Sequence, residues 1–214
     1  MHHIFPQYSK GELIADGCIH VIGVTASIIA ALSLVLVASN HLPPKATASV
    51  IIYSAGLLAV FGFSAAYNLV KVSRWKGLLR RFDHAAIYVK IAATYTPFAV
   101  VKMGGTAGFA LLGVVWAIAA LGATAKLIAP GHFVRTAYVL YLAQGWACIA
   151  ALNPLVMALS TSALFLLILG GVLYTVGVGF HLWQKLPYNN AIWHGFVLVA
   201  SACHFAAIVD AVVI

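Results

Sequence analysis

Seven apolar stretches, each close to the roughly 20 residues a helix needs to cross a bilayer, dominate this sequence. They cover approximately Cys18–Ser39, Ala48–Val70, His84–Val101, Gly108–Ile128, Thr136–Val156, Ser162–Trp183 and Ala191–Ile214. Helix breakers separate them: Pro43-Pro44, Gly104-Gly105, Pro130-Gly131, Asn153-Pro154, and Pro187 followed by Asn189-Asn190. The third and fifth are the weakest, because the third carries Lys90 and Pro97 and the fifth contains Gln144. Hydrophobic residues make up 64% of the 214 and charged residues only 7%, whereas a soluble domain carries about 25% charge. Such a chain cannot cover its apolar surface in water but can in lipid. The expectation is an all-α polytopic membrane protein of seven spans, a single domain over residues 1–214. No basic-then-apolar leader with a small-residue cleavage site opens the chain, so the first stretch is expected to remain as a helix. Cys18, Cys148 and Cys203 lie far apart in apolar stretches. That pattern suggests buried thiols rather than a disulfide framework or metal spacing.

The formal net charge is +8. In a soluble chain this would raise nucleic-acid binding, but here the basic residues fall mostly in the loops, where they report topology. With the N-terminus inside, Lys10, Lys71, Arg74, Lys76, Arg80, Arg81, Lys126, Arg135 and Lys185 are cytoplasmic, and only Lys45 and Lys102 are outside. The positive-inside rule therefore places the N-terminus in the cytoplasm and the C-terminus outside.

An ionisable side chain within a span is costly and marks a site to be explained. Glu12, Asp16 and His20 lead into the first helix, and Ser64 and Asn68 end the second. Asp83 and His84 open the third, His181 ends the sixth, and Asn190 and His194 open the seventh. In the N-in orientation all of these reach the cytoplasmic ends. Glu12, Asp16 and His20 repeat every four residues and share one helical face, as do the pairs Ser64/Asn68 and Asn190/His194. Simpler readings exist for each. An acidic residue in a first turn is favoured by the helix dipole, an Asn can be an interhelical hydrogen-bonding residue, and a His at a helix end can be interfacial. Lys90 either snorkels to the inner interface or reaches back toward Asp83.

Taken jointly and in order, several motifs resemble the hemolysin III branch of the PAQR (progestin and adipoQ receptor) family, which is related to alkaline-ceramidase-like seven-helix hydrolases. They are GELIADGCIH around Glu12 and His20, SAAYN from Ser64 to Asn68, and RFDHAAI from Arg81 to Ile87. AATYTP from Ala92 to Pro97, NAIWH from Asn190 to His194 and SACHF from Ser201 to Phe205 complete the set. The resemblance implies a zinc ion near the cytoplasmic face, held by three His ligands, with an Asp holding a zinc-bound water. Carried over, the ligand positions are Asn68, Asn190 and His194, with Asp83 as the water partner and Ser64 beside it. Only one of the three ligand positions is thus an imidazole. An amide oxygen suits harder cations than zinc, so a degenerate metal site is expected. His20, His84 and His181 lie at the same depth and offer replacement imidazoles.

The resemblance implies a membrane-lipid-related regulator or sensor of the bacterial inner membrane, with lipid as its partner. The alternatives are a zinc-dependent hydrolase of lipid amide or ester bonds, with Asp83 and Ser64 as catalytic candidates, and a pore-forming cytolysin. No nucleic-acid-binding patch, phosphate loop or serine nucleophile elbow is apparent in the sequence.

Overall fold

A computed structural model describes residues 8–70, 74–129 and 134–213. Lys71, Pro130, Gly131, His132, His2 and His3 lie outside the described residues, as does the side chain of Arg135. The helices are α1 (Lys10–His41), α2 (Pro44–Leu69), α3 (Lys76–Pro97), α4 (Gly105–Ile128), α5 (Val134–Gly145), α6 (Leu152–Ala158), α7 (Thr161–Leu182) and α8 (Asn189–Ile208). A wide π-type turn, Phe98–Met103, prolongs α3, and another, Val209–Val213, prolongs α8. No strand occurs among the described residues. Six helical segments are long and apolar enough to cross a membrane, with α5 and α6 counting together as Thr136–Ala158. The seventh helix, α3, has the length but carries Lys76, Arg80, Arg81, Asp83 and Lys90. The chain is an all-α polytopic membrane protein.

Along the first helix the burial pattern is inverted relative to a soluble bundle, as lipid allows. Along α1 the buried stripe is Asp16, His20, Gly23, Ser27, Ala31, Leu34 and Ala38, a row of mostly small or polar residues at helical spacing. The large residues Ile14, Val21, Ile22, Ile29, Leu32 and Leu36 face outward. Lipid tails are as apolar as leucine, so burying leucine against protein gains little there; close packing and hydrogen bonds hold the helices together instead. Gly56 shows the close approach: a Cβ there would sit 2.6 Å from Ala93 Cβ, so α2 and α3 meet backbone to backbone. Cys18 is exposed on α1 rather than buried as expected, and all three cysteines are free.

The two weak spans owe their character to contacts that sequence does not display. Helix α3 packs on α2, α4 and α5 and buries Tyr88, Lys90, Ala92, Ala93, Thr94 and Thr96. Protein surrounds its polar residues, which explains how a charged span is tolerated. Its helical run is longer than expected at both ends: it starts at Lys76, and the wide turn after Pro97 carries the chain on to Gly104 and Gly105, both at positive φ. The fifth span is broken between Gly145 and Leu152. Gln144 is fully buried there and donates to the carbonyls of Tyr88 and Val115, both at 3.1 Å. The Tyr95 hydroxyl donates to Gly145 O at 2.6 Å and accepts from Cys148 N at 3.1 Å, so one side chain satisfies both lips of the break. Backbone groups freed within a bilayer need such partners.

Lys90 follows neither of the two expected courses. It is 4% exposed and donates to the Tyr174 hydroxyl at 2.6 Å, which in turn bonds Ser201 Oγ at 2.6 Å. Its neighbours on α7 and α8 capture it, so it reaches neither the interface nor Asp83.

Candidate functional site

Only Leu42 and Pro43 separate α1 from α2, so α2 returns alongside α1. The beginnings of α1, α3 and α8 and the end of α2 meet at one end of the bundle. There Asp16 and His20 of α1, Ser64 and Asn68 of α2, Asp83 of α3, and Asn190 and His194 of α8 form one connected polar group.

Its hydrogen bonds fix which ring nitrogens carry protons. His20 Nδ1 is 2.8 Å from the Asp16 backbone oxygen, which can only accept, so Nδ1 is the protonated nitrogen. His194 Nδ1 is 2.6 Å from Asp16 Oδ1, so it too donates. With Nδ1 donating, the acceptor position of each imidazole is Nε2. Both Nε2 atoms face one atom: Ser64 Oγ lies 3.3 Å from His20 Nε2 and 3.5 Å from His194 Nε2. The rings themselves are 4.4 Å apart, edge to face. Asp83 lies beside Ser64, with His84, His194 and His20 near its carboxylate. Two imidazole nitrogens thus face one hydroxyl.

The two amides knit the rest together. Asn190 Nδ2 donates to Asp16 Oδ2 at 3.1 Å and to Asn68 Oδ1 at 3.4 Å. Asn68 Nδ2 donates to Ser64 O at 2.9 Å and reaches Ser64 Oγ at 3.4 Å. Tyr8 borders the group; burial, then Tyr67, Asp16 and Glu12, push its hydroxyl up to about 12, so it stays protonated at neutral pH.

Three other candidates sit apart from this core. Glu12 is exposed and closes a capping box with Ser9, its carboxylate accepting from Ser9 N at 2.8 Å and from Tyr188 N at 2.9 Å. His84 donates from Nδ1 to Arg80 O at 2.7 Å and lies 3.6 Å from Asp83 Oδ2, flanking the group from the α5 side. His181 pairs through Nε2 with the Tyr138 hydroxyl at 3.1 Å and packs beside Trp193. Sequence reading did not find the Asp16–His194 pair or the Tyr138 and Tyr188 contacts. The four-residue spacing of Asp16 and His20 was the available signal for a shared face, but nothing in the sequence aims that face at α8.

A family model described as "Haemolysin-III related" matches residues 12–205. The chain belongs to the haemolysin-III-related family. It is 40% identical to a hemolysin-3 homolog of Bacillus subtilis (strain 168) over 91% of both chains. It is 37% identical to hemolysin-3 of Bacillus cereus, over 93% of this chain and 90% of that one. The human monocyte to macrophage differentiation factor is 30% identical over 73% of this chain and 67% of its own. No solved structure matches.

The three-imidazole set implied by the family resemblance does not fit this chain. Asn68 and Asn190 turn amide N–H groups toward their neighbours, and only His194 is an imidazole. A different trio, Asp16, His20 and His194, can hold a metal ion, its ligand atoms lying within 4.8 Å of one another. Around a tetrahedral zinc, with bonds of 2.0–2.1 Å, ligand atoms stand about 3.3 Å apart. The 2.6 Å between His194 Nδ1 and Asp16 Oδ1 is instead a hydrogen bond, which has to open before a metal enters.

Proposed function

We propose that this protein is a membrane-embedded hydrolase of lipid acyl bonds, amide or ester, acting at the cytoplasmic face of a bacterial inner membrane. The observation that carries the reading is the convergence of two carboxylates, two imidazoles and a hydroxyl, from four helices, on one point of an intramembrane bundle. One hydroxyl faces two imidazole nitrogens with a carboxylate beside it, which is the composition of an acid–base site. An apolar cleft of about 390 Å³ lies between the end of α2 and the start of α3, lined by Phe63, Val70, Trp75, Leu78, Leu79 and Phe82. Phe63 and Phe82 are the chain neighbours of Ser64 and Asp83, and their rings stack at 5.1 Å.

Zinc, where the family binds it, would polarise a carbonyl and acidify a bound water; in this chain two of its three His positions are Asn. In this chain Asp83 and the paired imidazoles accept protons, and the amide N–H groups stabilise negative charge. A non-catalytic sensor is the second reading, favoured by the same two amides, which tie the site into a continuous structural network.

The test is turnover of fluorescent ceramide and short-chain acyl-ester lipids by purified protein in lipid nanodiscs. The wild type should exceed protein-free nanodiscs, and Asp83→Ala and His194→Ala should each lower the rate by roughly 10²-fold or more. Wild-type turnover at the blank level, with all three proteins folded, supports the sensor instead.

A further inference from the structure

We infer that Ser64 is the nucleophile of this site, with His194 as its general base and Asp16 as the residue that positions His194. The inference rests on the hydrolase reading and specifies its chemistry. Ser64 Oγ is 3.5 Å from His194 Nε2, and His194 Nδ1 is 2.6 Å from Asp16 Oδ1. A Ser–His–Asp relay needs this order of atoms and this tautomer, with the Nδ1 proton held by a carboxylate and the Nε2 lone pair on the hydroxyl. The longer first distance is common before substrate compresses the site. Asn190 donates to the other oxygen of Asp16 at 3.1 Å, leaving Oδ1 for the imidazole.

Ser64 also differs from the six helical hydroxyls that are satisfied within their own helix. Ser27, Ser33, Ser49, Thr94, Thr96 and Thr175 donate to a carbonyl three or four residues back in their own helix. That is how a bilayer-embedded hydroxyl is ordinarily satisfied. Ser64 Oγ instead faces His20, His194 and Asp83 across helix boundaries. The Asn68 amide donates to Ser64 O at 2.9 Å and lies 3.4 Å from Oγ, and by turning from that carbonyl it would offer an N–H to the oxyanion of an attacked carbonyl.

The chemistry closes without a metal. Ser64 Oγ attacks the acyl carbon as its proton passes to His194 Nε2. The carbon–nitrogen or carbon–oxygen bond of the lipid then breaks, and the leaving amine or alcohol takes that proton. Water attacks the resulting serine ester, giving a proton to His194 Nε2. Collapse releases the carboxylic acid and returns the proton to Ser64. The net reaction consumes one lipid and one water.

A fluorophosphonate probe tests this, applied to the full-length protein in nanodiscs and read by intact mass and peptide mapping beside the turnover assay. The expected result is one adduct per chain, on Ser64, with turnover falling in proportion and unaffected by 1,10-phenanthroline. Ser64→Ala should take no adduct and lose turnover by on the order of 10³-fold or more, at an unchanged melting temperature. Should that variant not fold, adduct mapping on the wild type still decides. Asp16→Asn should slow adduct formation by roughly 10²-fold or more yet reach the same final occupancy; a merely structural role for Asp16 would lower the occupancy. Turnover that survives in Ser64→Ala, or that phenanthroline abolishes while no adduct forms, overturns Ser64 as nucleophile and leaves the hydrolase reading standing. An adduct on another residue also overturns it. Neither turnover nor adduct in folded wild-type protein overturns both.

Discussion

Glu12 and Asp16 are one helical turn apart, both acidic, and their side chains do unrelated work. Glu12 remains outside the polar group and holds the chain: it caps α1 and receives the amide of Tyr188, the residue before α8, which has a positive φ of 62°. A non-glycine residue in that region is strained, and the hydrogen bond to Glu12 helps keep it there. Glu12→Ala should therefore speed hydrogen exchange at the Tyr188 amide while leaving the centre of α8 protected, as read by exchange mass spectrometry. Asp16 turns inward to His194. The same contrast applies to the asparagines. Restoring imidazoles with the double variant Asn68→His, Asn190→His rebuilds the donor set that zinc prefers. Its zinc content, measured by elemental analysis after purification, should rise toward one equivalent while the wild type stays well below. Equal content in both proteins would count against the view that these two positions control the metal.

At the level of the elements, the bundle depends on how helices approach and how their interruptions are closed. Gly56 permits the contact of α2 with α3, the two helices that carry Ser64 and Asp83. Gly56→Val should cost about 1–3 kcal/mol through overpacking, seen as a lower melting temperature in detergent. The break between α5 and α6 depends on the Tyr95 hydroxyl, which serves Gly145 O and Cys148 N together. Tyr95→Phe removes that partner where water cannot replace it, with an expected loss of about 1–3 kcal/mol. A melting temperature unchanged from wild type would show that the break closes by other means. Both interruptions were visible as weak spans, marked by Pro97 and Gln144. The closure of the α5/α6 break was not, because the Tyr95 hydroxyl that satisfies it comes from α3, about 50 residues away in sequence.

For the whole molecule, the loop charges argue for one orientation. The N-terminus should lie in the cytoplasm and the C-terminus outside, since nine of the eleven basic residues other than Lys90 fall on one side. An alkaline phosphatase fusion at the C-terminus should be active in a bacterial host, and a green fluorescent protein fusion there should stay dark. The opposite pair of results would move the polar group to the outer face and sink the cytoplasmic assignment.

The sequence by itself determined that this chain is a helical membrane protein and at which helix ends its polar residues lie. Hydropathy and helical periodicity are local properties, and a bilayer enforces them strongly. The motifs also indicated the family, and with it Asp83, Ser64 and His194 as site candidates. Only the tertiary structure decided the partners. It set Asp16 on His194, aimed two imidazole nitrogens at Ser64, kept Glu12 at the rim and turned Lys90 to Tyr174. Those outcomes depend on the rotation of each helix about its axis and on the closeness of its neighbours, quantities set by packing between segments up to 178 residues apart.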